Sequence, residues 1–146
     1  MPDIALTTDI FVGFPGETEA DFEDTLDVVR RVGYDSAYTF IYSKRTGTPA
    51  ARLSDEVPES VVKERFDRLL SEIHEISGRI YENRVGLVCE ALIEEVNERD
   101  SEWVSGRLSN NVIVHAPGSS SLIGNYVKVR LEESHGFYFS GKIVEK

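Results

Sequence analysis

The sequence predicts an α/β unit followed by a small all-β barrel, and three observations carry that expectation. An uninterrupted apolar run, Ile10-Phe11-Val12, stops at Gly13 and gives way to a helical pattern, as when a parallel strand covered on both faces feeds a crossover helix. A long amphipathic stripe then occupies Pro58 to Arg84. From Val85 onward the apolar period drops to two, in short segments separated by turn residues, the pattern of a small antiparallel barrel.

Asp3 to Val12 reads as the first strand. Pro15 ends its pairing, and Gly13 and Gly16 relieve the backbone at the joint. Thr18 caps the helix Glu19 to Val32, with Asp21 completing a capping-box pattern. Phe22, Leu26, Val29 and Val32 share the apolar face of that helix, while Glu19, Glu23, Asp27, Arg30 and Arg31 lie nearer water. Acid early and base late suits the helix dipole, and Gly33 is the natural stop. Ser36 to Ser43, rich in aromatic and β-favouring residues, is the second strand. Strand, helix and strand make a parallel crossover unit, but two strands are too few for a stable sheet. The first part of the chain is therefore expected to be the end of a larger barrel or sheet. In the long helix, Val62, Phe66, Leu69, Ile73, Ile76 and Ile80 form one stripe, until Gly86 breaks the pattern. Five strands are expected after it, at Val88–Glu95, Trp103–Arg107, Val112–His115, Tyr126–Glu132 and Phe137–Val144.

Composition narrows the function classes. The chain has 146 residues with 16 basic and 26 acidic side chains, a net charge of −10, which argues against a protein that coats nucleic acid without specificity. Residues 1–80 carry 9 basic and 16 acidic groups, a balance of −7, and residues 81–146 carry 7 and 10, a balance of −3. No apolar run has the length of a membrane span and the N-terminus lacks a signal-peptide pattern, so a cytoplasmic protein without membrane contact is expected. The single cysteine, Cys89, excludes an internal disulfide. His74, His115 and His135 lack ligand spacing, and no metal site is assigned.

Two surfaces stand out. The joint Thr8 to Thr18 and the loop Ser43 to Ala51, S-K-R-T-G-T-P-A-A, both follow strands, so in a barrel they share the face that carries ligands. Lys44 and Arg45 in that loop can hold a phosphate or carboxylate, or can be solvated. In Tyr126–Glu132, alternation sends Val127, Val129 and Leu131 to the core and Tyr126, Lys128 and Arg130 outward. Such an aromatic and basic face suits stacking on a base and tracking phosphates, with Arg107, Asn110 and Lys142 as neighbours; a solvated strand face is the bland alternative.

The order of three landmarks, T-D-I-F-V-G-F-P-G-E-T, F-I-Y-S-K-R-T-G-T-P-A-A and a barrel segment beginning near Val85, resembles the C-terminal part of a radical S-adenosylmethionine (radical SAM) tRNA methylthiotransferase, including its TRAM domain. Gly106, Arg107, Asn110 and the segment Ser121 to Gly124 resemble the tRNA-modifying branch. The resemblance implies residues 1–80 from the end of a radical SAM, partial TIM-like barrel and residues 81–146 as a TRAM, OB-like barrel. It further implies a full enzyme that methylthiolates carbon 2 of an isopentenylated adenosine beside the tRNA anticodon. S-adenosyl-L-methionine and two 4Fe-4S clusters would be its cofactors, and the tRNA anticodon stem-loop and the missing N-terminal domains its partners, in a monomer. Val12, Gly13, Phe14, Ile41 and Tyr42 would contact the adenine of the cofactor through backbone polar groups and apolar surface. Replacing Gly13 by a β-branched residue is then expected to harm cofactor binding more than folding.

The sequence also departs from the family. The cysteine-rich N-terminal domain and the C-x-x-x-C-x-x-C segment are absent, so Met1 is expected to open a fragment that is catalytically silent by itself and contains no catalytic residue. Leu108-Ser109 stands where the family often has Thr-Arg, removing one RNA-facing cation. Two related readings share the architecture: an enzyme acting on an aspartate of a ribosomal protein, which the acidic balance favours, and one acting on threonylcarbamoyladenosine in tRNA. A stand-alone RNA-binding module is the reading from another class.

Overall fold

A computed structural model describes residues 4–145, so the predicted start of the first strand at Asp3 lies outside the described residues. The chain divides into two compact units, one of Ala5–Ser77 and one running from Gly78 onward.

In the first unit, β1 (Thr7–Val12) and β2 (Ser36–Ile41) pair in parallel, in a register that sets Phe11 beside Phe40 and Asp9 beside Tyr38. The helix α1 (Glu19–Val32) joins them. Its capping box is formed: the Asp21 N–H donates to the Thr18 hydroxyl at 3.2 Å and the Thr18 N–H to Asp21 Oδ2 at 2.8 Å. These bonds, the Thr18 hydroxyl first, hold the Asp21 carboxyl below its ordinary pKa. Gly33 ends α1 in the left-handed conformation that favours glycine, its N–H donating to Val29 O.

Phe22, Leu26 and Val29 of α1 are buried with Val62, Leu69, Ile73 and Ile76 of α2 (Glu59–Glu82) and Val12 of β1. Val32, read as part of the apolar face, is instead exposed, because it lies in the last turn of α1, beyond that core. The larger correction concerns the sheet. Phe11, Tyr38 and Phe40 are 53%, 66% and 54% exposed, so one face of the pair is open rather than covered. Residues two apart share a face, and the buried Val12 marks the other side as the covered one.

The second unit is a closed barrel of β3 (Val88–Val96), β4 (Trp103–Leu108), β5 (Ile113–Pro117), β6 (Tyr126–Ser134) and β7 (Tyr138–Glu145), in the order β3-β4-β5-β7-β6. All neighbours are antiparallel except β5 and β7, which are parallel. The expectation of a purely antiparallel barrel therefore fails in one place, for a reason of parity: strand directions cannot alternate around a closed ring of five. Two short 3-10 turns, Ala50–Arg52 and Ser120–Leu122, had no clear sequence pattern. The barrel is filled by Ile93, Val104, Val114, Val127, Val129, Leu131 and Phe139, and the Tyr81 ring packs edge-on against Phe139 at 5.5 Å.

Candidate nucleic-acid interface and cofactor site

The strand β6 behaves as its alternation requires. Val127, Val129 and Leu131 are buried and Tyr126, Lys128 and Arg130 are exposed, Tyr126 by 63%. Register then brings further predicted residues to the same face. Arg130 lies opposite Lys142 of β7, both exposed, and like charges placed directly opposite repel unless an anion joins them. Tyr126 lies opposite Leu92 of β3, which lies opposite Arg107 of β4, so Tyr126 and Arg107 stand two strands, about 10 Å, apart in one row. Asn110 is not delivered to this face as a free group. Its Oδ1 accepts the Val112 N–H at 3.3 Å in the turn that Asn111 completes with a positive φ of 66°.

Sequence reasoning missed the acids that answer these cations. Lys128 Nζ donates to Glu145 Oε2 at 2.8 Å, and this bond, followed by the attraction of Glu145, holds its pKa above the ordinary value. Arg107 Nε donates to Glu94 Oε2 at 3.0 Å, and its Nη1 to the Asn111 carbonyl and Oδ1 at 3.2 Å. Both pairs are exposed and so are worth little in water; a phosphate can replace either acid. Also missed was the stack of His135 on Tyr138, 4.6 Å between centroids and 17° between planes, with His115 edge-on to the same ring at 5.1 Å. His115 Nδ1 lies 2.9 Å from Ser105 Oγ. Burial pushes the pKa of this histidine below its ordinary value, with Glu95 opposing and His135 adding to the shift. Its residue type gave no hint, since the partners come from different strands.

In the first unit, the ends of β1 and β2 open on two hollows. A cavity of about 220 Å³ is lined by Gly13, Ile41, Tyr42, Lys44, Glu56 and Val62 among others. A wider one of about 490 Å³ is lined by Phe11, Phe14, Phe40, Ile41, Tyr42 and Arg45 among others. The two loops that sequence placed on one face thus do meet there. Val12 is fully buried and its carbonyl accepts the Tyr42 N–H at 2.8 Å. The Gly13 N–H donates to Glu17 Oε2 at 3.0 Å. The Val12 carbonyl and the Gly13 amide are therefore engaged inside the fold. Phe14, Ile41 and Tyr42 add apolar and aromatic surface there, with Phe14 edge-on to Tyr42 at 5.2 Å.

Of the groups lining these hollows, the buried Tyr42 hydroxyl has no hydrogen-bond partner among the described residues, a state that costs free energy unless something fills it. Lys44 is paired with Glu56 at 3.0 Å. Gly13 cannot serve as a clean probe of the cavity. Its φ is +80°, and an added Cβ would lie 2.8 and 2.9 Å from the Val62 methyls, so a β-branched residue there disturbs the packing of α2 as well as any ligand.

Among the described residues no group of three or more His, Cys, Asp or Glu could hold a metal ion. Cys89 is partly buried beside the barrel core, and burial raises its thiol pKa against the opposing pull of Arg84.

A closed five-stranded barrel of this size is of the TRAM, OB-like class, and residues 82–144 match the TRAM domain family. Over almost its whole length the chain is similar to proteins named tRNA-2-methylthio-N(6)-dimethylallyladenosine synthase. It is 61% identical over 145 residues to the synthase of Lachnoclostridium phytofermentans, covering 99% of this chain and 32% of that protein. To the synthase of Acetivibrio thermocellus it is 51% identical over 144 residues, 99% of this chain and 30% of the relative. To that of Alkaliphilus oremlandii it is 48% identical over 146 residues, all of this chain and 31% of the relative. The chain thus spans about a third of the length of the curated relatives it matches.

Proposed function

We propose that this chain is the RNA-holding and cofactor-flanking part of a tRNA methylthiotransferase that acts on carbon 2 of N6-dimethylallyladenosine beside the anticodon. The observation that carries the reading is the continuous match to synthases of that name, joined to a barrel face that sets Tyr126, Lys128, Arg130 and Lys142 together. The acidic balance alone speaks for the ribosomal-protein reading, and the names of the relatives outweigh it. In the proposed reading β1, α1, β2 and the start of α2 are the last part of a radical SAM barrel, which would continue the sheet whose open face carries Phe11, Tyr38 and Phe40. The protein is read as cytoplasmic and monomeric, with tRNA as its partner.

The cavity residues fit S-adenosylmethionine. Phe14, Ile41 and Tyr42 offer apolar surface to an adenine, the unsatisfied Tyr42 hydroxyl offers one hydrogen bond, and Lys44 and Arg45 border the space for charged groups. When bound beside its clusters, that cofactor supplies the radical and methyl chemistry of the family. The chain's own residues bind and orient: the aromatics exclude water from one side, and the Gly13 joint fixes the strand end. The clusters do not fit here, because a 4Fe-4S cluster needs several thiolates and the chain has only Cys89. No step through them is assigned to these residues.

On the barrel, Tyr126 stacks on a base while Lys128, Arg130, Lys142 and Arg107 meet phosphates. Mass spectrometry of tRNA nucleosides from a strain lacking the gene tests the function. Loss of the 2-methylthio derivative with accumulation of dimethylallyladenosine is the expected result, and an unchanged nucleoside profile would refute it.

A further inference from the structure

The joint after β1 is shaped by a side chain that belongs to neither strand nor joint. Arg65 of α2 is the basic residue in the buried class among the described residues, its side chain only 5% exposed. Its Nη1 donates to Glu17 Oε1 at 2.8 Å and to the Glu17 carbonyl at 3.0 Å, and its Nε donates to Glu19 Oε2 at 3.1 Å. The second oxygen of Glu17 accepts the Gly13 N–H at 3.0 Å. A chain of charge-assisted bonds therefore runs from α2 through one carboxylate to the amide of Gly13. The joint is closed further by the Gly16 N–H on the Asp55 carbonyl at 2.7 Å and the Glu17 N–H on the Phe14 carbonyl at 2.9 Å.

We infer that Arg65 is the positioning residue for the Gly13–Glu17 joint, and through it for the cavity beside Phe14 and Tyr42. Burial gives the argument its force. A guanidinium taken from water must be met by acceptors in a fixed geometry, and its planar fork satisfies Glu17 and Glu19 at once in a way that a lysine ammonium cannot. Without it, Glu17 loses the partner that aims its carboxylate at Gly13, and the positive φ of Gly13 is no longer held from both sides. Arg68, one turn on, is a built-in contrast. It pairs with Glu19, Glu23 and Glu64 but is more exposed, with no bond to Glu17 among those described.

The part of this inference that concerns the cofactor rests on the reading of the cavity as an S-adenosylmethionine site, so the experiment has two arms. The first is amide hydrogen exchange on this chain as Arg65→Lys, Glu17→Gln and Arg68→Gln. Exchange at Gly13 is expected to quicken at least tenfold in the first two while the α1 core amides of Leu26 and Val29 stay slow, and to stay near the parent rate in the third. Parent-like exchange at Gly13 in both Arg65→Lys and Glu17→Gln, or equal quickening by Arg68→Gln, overturns the positioning role. The second arm is the Kd for S-adenosylmethionine of the whole enzyme bearing Arg65→Lys, expected to rise about tenfold. If Gly13 loosens and that Kd does not move, the positioning role stands and the cofactor reading of the cavity falls. Glu17→Gln removes the carboxylate charge that links Arg65 to the Gly13 amide and provides the test should Arg65→Lys fail to fold.

Discussion

The two units solve the problem of strand edges in opposite ways. The barrel closes on itself, so each strand pairs on both sides and its inward residues form a sealed core around Phe139. The first unit has only two paired strands, and three aromatic side chains stand open on its bare face. Closure makes a domain self-sufficient, whereas a two-stranded sheet depends on what packs against it. Helix α2 and the ion pairs of Arg65 and Arg68 take that part on the covered side. The comparison also separates roles: the closed unit can offer its outer face to a partner without loss of fold, while the open unit has unfilled surface at the ends of its strands.

Truncating the barrel core should show the contrast most strongly. Phe139→Ala is expected to lower barrel stability by about 3–5 kcal/mol, whereas Phe40→Ala, on a half-exposed side chain of the open face, should cost about 0.5 kcal/mol or less. Denaturant titration of the two variants checks this, and comparable losses would break the distinction. The local stability of the first unit is sharpened by Thr18→Ala, which removes the capping box of α1 and should cost about 1 kcal/mol, read as faster exchange of the α1 amides.

The smallest effect is on pH. His115 titrates below its ordinary value of 6.5 because burial disfavours the charged ring. The unfolded chain therefore takes up this proton before the folded one does. Barrel stability should be level above pH 6.5 and fall as pH drops below it. His115→Asn should flatten that fall, and an unaltered slope would remove His115 as its cause.

Much of this arrangement was legible from residues alone. The bounds of α1 and its caps followed from Thr18, Asp21 and Gly33, whose roles are local. The outward set Tyr126, Lys128 and Arg130 followed from alternation, because Val127, Val129 and Leu131 have nowhere to go but inward. What escaped was non-local. The parallel pairing of β5 with β7 depends on closure, and the pairing of Lys128 with Glu145 depends on which strands are neighbours. Arg65 left a trace: it sits three residues after Val62 and four before Leu69, on the apolar stripe, where a charge signals a buried partner. The engaged amide of Gly13 left none, since Glu17 reads equally well as a solvated residue.

The proposed RNA face on β6 is tested most directly by the salt dependence of binding. Affinity of the chain for an anticodon stem-loop should be followed from low salt upward, for the parent and for the variant carrying Lys128→Ala and Arg130→Ala. If these cations meet two phosphates, the log-affinity versus log-salt slope of the variant should be smaller in magnitude by about 1.4, at roughly 0.7 per single-strand phosphate contact. An affinity and a slope equal to the parent's would contradict the account, leaving this face solvated and the RNA site elsewhere on the molecule.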